Sequence, residues 1–317
     1  MNTLFSTLST FEEFEKYKLQ SEVLESMAKA IIHRHQLPEG PLSLFQEGTN
    51  IVFSYGDKRV IKIFPAIHYQ QFKNEQLVLH RLHNKLSVPT PAIEFKGEIA
   101  GWTYMIMNRL EGTLLETLWD KLDDHNKIIL VRELGLLIQE VHSLPTQGLE
   151  EIDCHWQQFI DKQINQCVET HRSNKLPAKL LPQLPAYIAA AKNLVYPIEK
   201  PVILTGEYTP MNLLVKQTAG IWHICGLIDF GDAMLGLADY DLLGPVAFLI
   251  QGNKELLKEF LAAYGYSPLQ MNSVFNQKMM ALMLLHQYSN LNVQIRISNW
   301  QEKVESIREL ENLVWGF

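Results

Sequence analysis

The chain has 317 residues, 47% hydrophobic and 20% charged, enough for a sizeable core and for two lobes. Its 28 basic and 35 acidic residues leave a formal charge of −7, which argues against a duplex nucleic-acid binder, whose affinity would rest on Lys and Arg. Three cysteines, Cys154, Cys167 and Cys225, fit neither a disulfide framework nor a zinc-ligand spacing.

Glu12, Glu13 and Glu15 stand where a secretory signal would need an apolar run. The longest clean apolar stretches, such as Met279 to Leu285, are too short to span a bilayer. The expectation is a cytoplasmic protein with no membrane and no nucleic-acid partner. Oligomeric state is not readable from the sequence.

In chain order, residues 11–36 read as helical, with Ser21 placed to cap a run in which Val23, Met27 and Ile31 recur at spacing four. Pro38 and Pro41 end it. Three β-type runs follow, Leu42 to Gln46, Asn50 to Tyr55 and Arg59 to Phe64, the last two joined by a Gly56-Asp57 turn. In the stretch FKNEQLVLHRLHN, Phe72, Leu79 and Leu82 mark an apolar helical face around Glu75. Strands at Ala92 to Phe95 and Trp102 to Met107 complete a β-β-β-α-β-β order. Beyond it the chain is mainly helical: Leu130, Leu134, Leu137 and Val141 predict a helix over 127–143. Further helices are expected at Trp156 to His171, Leu180 to Leu194, Lys254 to Tyr264, Gln277 to Tyr288 and Gln301 to Trp315. Strands return at Leu213 to Val215 and His223 to Ile228. The boundary falls near NRLEG, giving an N-terminal lobe over 1–108 and a C-terminal lobe over 109–317.

Certain residues stand out chemically. Lys62 lies inside the apolar run VIKIF and must either face solvent or be paired, because a lone buried charge is costly. Glu75 on the next helix is a candidate partner. The loop QEGTNIVF carries Gly48, Thr49 and Asn50, a turn able to aim backbone N–H groups at a phosphate. Asp229 ends the strand-like LIDFGD, where a carboxylate is placed either to hold Mg²⁺ or to cap its own turn. Glu207 and Asn212 sit five residues apart, just before the strand Leu213 to Val215, and Asp229 follows the neighbouring strand. If the two strands pair as a hairpin, Glu207, Asn212 and Asp229 converge. An amide and a carboxylate then share a metal while a second carboxylate accepts a proton from a hydroxyl.

On these stretches the chain resembles the aminoglycoside phosphotransferase and choline kinase family. The likeness runs from about Glu47 to Leu242 and rests on EGTNIVF, VIKIF, Glu75, YMIMNRLEGTLL, TGEYTPMN, IDFGD and GLADYDL. The loop and hinge spellings look nearest the hygromycin-modifying phosphotransferases. The resemblance implies an α+β, bilobal protein-kinase-like fold. In it, a small antiparallel sheet with one key helix binds nucleotide, and a larger helical lobe carries catalysis and the acceptor. It implies ATP- and Mg²⁺-dependent phosphoryl transfer to a hydroxyl of a small molecule, with GTP an alternative donor and a cationic acceptor compatible with the acidic chain. Lys62 would contact the α- and β-phosphates and pair with Glu75. Asn212 and Asp229 would hold Mg²⁺, Gly48, Thr49 and Asn50 would line the phosphates, and Met107, Asn108 and Leu110 would flank the adenine. GLADYDL would anchor the structure behind the metal site.

One departure stands in the catalytic loop. The family spelling is His-Gly-Asp and this chain reads Thr205-Gly206-Glu207, an acid one methylene longer without the bracing His. Glu207 would take the role of the family's catalytic Asp. The alternative is a kinase-like module that binds nucleotide or a partner without turnover. A metal-dependent hydrolase would leave Lys62 and the β-rich N-terminal lobe without a role. Asp153, Asp161, Glu169 and Asp232 are acidic side chains suited to a cationic acceptor, and equally to ordinary surface positions.

Overall fold

The computed structural model describes residues 4–196, 200–206 and 208–317. The chain divides into two compact units. The first joins the residues up to Lys85 with Pro89–Glu111 and Gly226–Asp232; the second joins Leu86–Val88, Gly112–Cys225 and Ala233–Phe317.

The first unit opens with two helices, α1 (Phe11–Lys18) and α2 (Ser21–Arg34), where the sequence predicts one. A capping box between Thr10 and Glu13 starts α1. Bonds from Leu19 N–H to the Lys16 carbonyl and from Gln20 N–H to the Tyr17 carbonyl tighten its last turn and end it. Ser21 is therefore the first residue of α2, not its cap. Strands β1 (Leu42–Leu44), β2 (Ile51–Tyr55), β3 (Arg59–Phe64), β4 (Ile93–Ile99) and β5 (Trp102–Asn108) form one antiparallel sheet in the order β1-β2-β3-β5-β4. Gly56 takes the turn between β2 and β3 at φ 58°, a left-handed conformation that suits glycine.

Period-two alternation divides this sheet into two faces. Ile51, Phe53, Ile61, Ile63, Tyr104 and Ile106 point to one side, where they share a core with Phe14, Tyr17, Met27 and Ile31 of α1 and α2. Lys62, registered between Val52 and Met105, points to the other. Helix α3 (Tyr69–Leu82) packs on β3 and β5 and buries Phe72, Glu75, Val78, Leu79 and Leu82, a stripe at spacings of three and four.

In the second unit, β6 (Thr113–Leu114), β8 (Leu213–Thr218) and β9 (Ile221–Leu227) form a three-stranded sheet in the order β6-β8-β9. The last residues of β9 belong to the first unit. Strand β7 (Val202–Leu204) pairs antiparallel with β10 (Met234–Gly236). Helix α4 (Asp124–Ser143) is capped by the Asp123 carboxylate, which accepts the Asn126 N–H at 2.8 Å. It lies against the helix Lys254–Tyr264 at Gly135, where a Cβ would come within 2.6 Å of the Phe260 carbonyl oxygen. Helices α5 (Trp156–Ser173) and α6 (Leu184–Val195), with Ser273–Leu284 and Ile307–Trp315, complete the unit. The expected Gln277 to Tyr288 helix runs instead over Ser273–Leu284, and the expected Gln301 to Trp315 helix is split into Trp300–Lys303 and Ile307–Trp315, with capping side chains at the starts of Ser273–Leu284 and Ile307–Trp315. Asn272 accepts the N–H groups of Val274 and Phe275, and Ser306 accepts that of Glu309. Among the described residues no helix is long and apolar enough to cross a membrane.

His171 on α5 is fully buried, and its Nε2 lies 2.9 Å from the Leu284 carbonyl oxygen. Burial lowers its pKa below 6.5, with the carbonyl contact opposing. A depressed imidazole pKa means that the unfolded chain takes up the proton first. Stability is therefore expected to fall as pH drops below about 6.5. In His171→Gln, chemical denaturation between pH 7.5 and 5.5 is expected to show a shallower loss than in the parent; equal slopes would remove His171 as the cause.

Candidate functional site

A central strand of a sheet covered on both faces offers no exit for a charged side chain, so Lys62 must find counter-charges within the unit. Only 4% exposed, it has two. Its Nζ lies 2.7 Å from Glu75 Oε2 and 2.8 Å from Asp229 Oδ1, and 5.4 Å from the centre of the Phe64 ring. Glu75 arrives from the buried stripe of α3. Asp229 arrives from the turn after β9, where its backbone holds φ 65°. Asp is among the residues that tolerate this left-handed region, and its Oδ1 also accepts the Gly231 N–H at 3.3 Å. The turn-capping role and the ion-pairing role are thus filled by the same oxygen.

The charges of this triad follow from burial and pairing. Burial alone would lower the Lys62 pKa, but the Asp229 and Glu75 carboxylates outweigh it and raise the pKa, so the ammonium is cationic. Burial pushes Glu75 up, to about 7, against the pull of Lys62. For Asp229 the Lys62 charge overcomes burial and holds the carboxyl below its usual range; its side chain is 40% exposed.

The phosphate-loop candidates separate by exposure. Gly48, at φ 119°, and Thr49 are exposed, whereas Asn50 is 6% exposed and turned inward. Its Nδ2 donates to Gln71 Oε1 at 2.9 Å, and its Oδ1 lies 2.9 Å from His68 Nδ1. Met107, Asn108 and Leu110 lie at the end of β5 and just past it. Met107 is buried opposite Val60, and the Asn108 side chain accepts the Ala92 N–H at 2.6 Å, tying the end of β5 to the approach to β4.

The second unit holds the other candidates. Asn212 is 8% exposed, and its N–H donates to the Thr209 carbonyl at 3.0 Å. Glu207 lies outside the described residues. The loop before it is braced by Asp241, whose Oδ2 accepts the Thr205 N–H and whose Oδ1 accepts the Gly206 N–H, both at 2.9 Å. His142 Nε2 lies 3.2 Å from Asp241 Oδ2, and its Nδ1 lies 2.9 Å from the Tyr264 hydroxyl. Burial, with Asp241 near it, pushes the Tyr208 hydroxyl pKa well up. A carboxylate therefore braces the loop through backbone N–H groups, which any residue except proline supplies. Of the acidic residues suggested for a cationic acceptor, Asp161 pairs with Tyr196, Glu169 with Arg172, and Asp153 caps His155. Asp232 accepts from Gln71 at 3.2 Å in the first unit.

Sequence reading missed His142, Gln71 and His68. Each is a single polar residue on a helix or turn, and its partner is 18 or more residues away in sequence. GLADYDL pointed at Asp241 only as part of a segment.

The buried triad makes a stability prediction. Lys62→Met removes the shared cation and is expected to cost about 3 kcal/mol in chemical denaturation, because Glu75 must then be protonated or stay unpaired. Lys62→Met/Glu75→Leu is expected to recover most of that loss. An equal loss in both variants would mean that the pair contributes packing alone.

The comparisons with known proteins agree with one another. A family model described as the phosphotransferase enzyme family, APH, matches residues 41–273. Among solved structures, the GDP complex of wild-type aminoglycoside 2'-phosphotransferase-IIIa aligns with a TM-score of 0.70 at 18% identity, covering 91% of this chain and 96% of that one. The streptomycin-ATP complex of APH(2")-IIa gives 0.59 at 18%, covering 83% and 91%. APH(3'')-Id from Streptomyces rimosus, in complex with ADP and streptomycin, gives 0.57 at 15%, covering 82% and 98%. At these identities the structural likeness establishes the fold, a mixed α+β architecture with an antiparallel N-terminal sheet and a helical C-terminal part. The match of the family model over most of the length establishes membership: the chain belongs to the APH phosphotransferase enzyme family.

Proposed function

We propose that this protein transfers the γ-phosphate of a nucleoside triphosphate, ATP or GTP, to a hydroxyl of a small molecule. The observation that carries the reading is the buried Lys62 held between Glu75 and Asp229 in a member of a phosphotransferase family. A fixed ammonium whose partners keep it charged suits a triphosphate, because phosphoryl transfer depends on positioning and charge neutralisation more than on covalent chemistry. Solved neighbours are described as complexes with GDP, ATP and ADP, and with kanamycin or streptomycin. They support both donors and a polyhydroxylated cationic acceptor.

In this reading Lys62 binds the α- and β-phosphates and Glu75 fixes its direction. Backbone N–H groups around Gly48 and Thr49 receive phosphate oxygens, while Asn50 holds the loop from within. The segment from Met107 through Asn108 to Leu110 supplies the adenine contacts. Asp229 and Asn212 would hold Mg²⁺. The fit is chemical: Asp229 is ionised and partly exposed, and hard divalent cations take carboxylate and amide oxygens. When bound, the metal supplies charge neutralisation at the phosphates. Glu207 takes the proton of the attacking hydroxyl, whose oxygen forms the new bond to phosphorus as the bond to the nucleoside diphosphate breaks.

The Thr205-Gly206-Glu207 spelling favours a second reading, nucleotide binding without turnover. One set of measurements separates the two. The protein is incubated with Mg-ATP or Mg-GTP alone and with aminoglycosides, amino alcohols and sugars, and nucleoside diphosphate release is followed. Acceptor-dependent release that Glu207→Gln abolishes, with nucleotide-induced thermal stabilisation retained, is the expected outcome. Stabilisation without turnover on any acceptor supports the second reading. Turnover unchanged in Glu207→Gln would overturn the role given to that residue.

A further inference from the structure

Residues 1–40 precede the stretch matched by the family model, yet α1 reaches the candidate phosphate loop. Lys18 Nζ donates to the Gly48 carbonyl at 2.9 Å. The same ammonium is held by Glu15 at 3.1 Å and lies 5.6 Å from the centre of the Phe14 ring. Phe14 in turn packs edge-on against His68, with ring centres 5.1 Å apart.

From His68 a hydrogen-bonded chain runs inward, and its direction can be worked out from its far end. The Asp232 carboxylate can only accept, so the Gln71 amide presents its NH₂ there, at 3.2 Å. Gln71 Oε1 is then the acceptor for Asn50 Nδ2 at 2.9 Å. Asn50 Oδ1 is left to accept, which makes His68 Nδ1 the donor at 2.9 Å. Four side chains from the β3–α3 connection, the loop, α3 and the turn after β9 are thus aligned with one polarity. At the tip of the loop Gly48 sits at φ 119°, and Gly48 and Thr49 are exposed.

We propose that Lys18 and His68 are positioning residues that clamp the phosphate loop at Gly48 and Asn50, in the conformation that receives the phosphates of the nucleotide. This rests on the phosphotransferase reading above. A loop ordered before the ligand arrives binds more tightly, because the apparent dissociation constant scales inversely with the competent fraction. A helix outside the shared family segment thereby sets nucleotide affinity.

The test compares Lys18→Met, Lys18→Arg and His68→Phe with the parent. The phenyl ring of His68→Phe keeps the packing on Phe14 and removes the donor. Mg-ATP binding is measured by titration calorimetry, and backbone amide exchange over residues 46–50 is followed in the unliganded protein. Lys18→Met is expected to weaken Mg-ATP about fivefold and raise the nucleotide KM in step, with kcat within about twofold and the unliganded melting temperature unmoved. Its loop amides exchange faster, Lys18→Arg restores most of both effects, and His68→Phe shifts both in the same direction. Unchanged or tighter binding in Lys18→Met, unchanged loop exchange, or an arginine variant that behaves like the methionine one would each overturn the proposal. A parent protein that binds no nucleotide would overturn this proposal and the phosphotransferase reading together. A parent that binds, with variants that bind equally, would overturn the clamp alone.

Discussion

A cation with 4% exposure in the middle strand of a sheet is the constraint from which the first unit is organised. Without neutralisation, burying the Lys62 ammonium would cost several kcal/mol, so partners must be delivered with short contacts and from fixed directions. α3 delivers one by placing Glu75 in the stripe it buries. The turn after β9 delivers the other by holding Asp229 in a left-handed backbone conformation. The two acids differ in their surroundings. Glu75 is enclosed and committed to Lys62. Asp229 is ionised and its side chain stays partly exposed. That asymmetry arises from burial together with the Lys62 charge, which prevails over burial at Asp229 but not at Glu75.

The second unit solves the mirror problem. Asp241 is a buried carboxylate and receives three contacts: two backbone N–H groups from Thr205 and Gly206, and His142. Because the donors are backbone N–H groups, this brace does not depend on the Thr205 or Gly206 side chains. Tyr264, bonded to His142, extends the network to the helix that Gly135 allows to lie close against α4. A hydrogen-bonded chain from Tyr264 through His142 to Asp241 therefore connects this helix pair to the loop.

Much of this was legible in the sequence, for reasons that differ by element. Helical stripes and strand alternation located α3, α4 and the five-stranded sheet, because periodicity reports burial directly. Lys62 was legible only as a choice between solvent and pairing, since one residue in an apolar run does not say whether the opposite face is covered. The inward turn of Asn50 was not legible. An amide next to a glycine serves a phosphate or its own loop equally well, and only Gln71 and His68 decide. The break between α1 and α2 was hidden because both halves share one apolar register. Asp241 and His142 lie 99 residues apart, and a contact at that separation leaves no local pattern.

The two N-terminal helices show how one addition serves two ends. α1 and α2 cover the sheet face opposite Lys62 with Phe14, Tyr17, Met27 and Ile31, closing a surface that would otherwise expose Ile61 and Ile63. On the other face α3 encloses Lys62 and supplies Glu75, so each face of the sheet has its own cover. The same packing sets the end of α1 beside Gly48, where Lys18 meets the carbonyl. Placing a charged side chain there costs little, because Lys18 stays partly exposed and is shared with Glu15 and the Phe14 ring. A structural cover thus carries its restraint on the loop at small additional expense, and the two effects are inseparable in any deletion that removes α1.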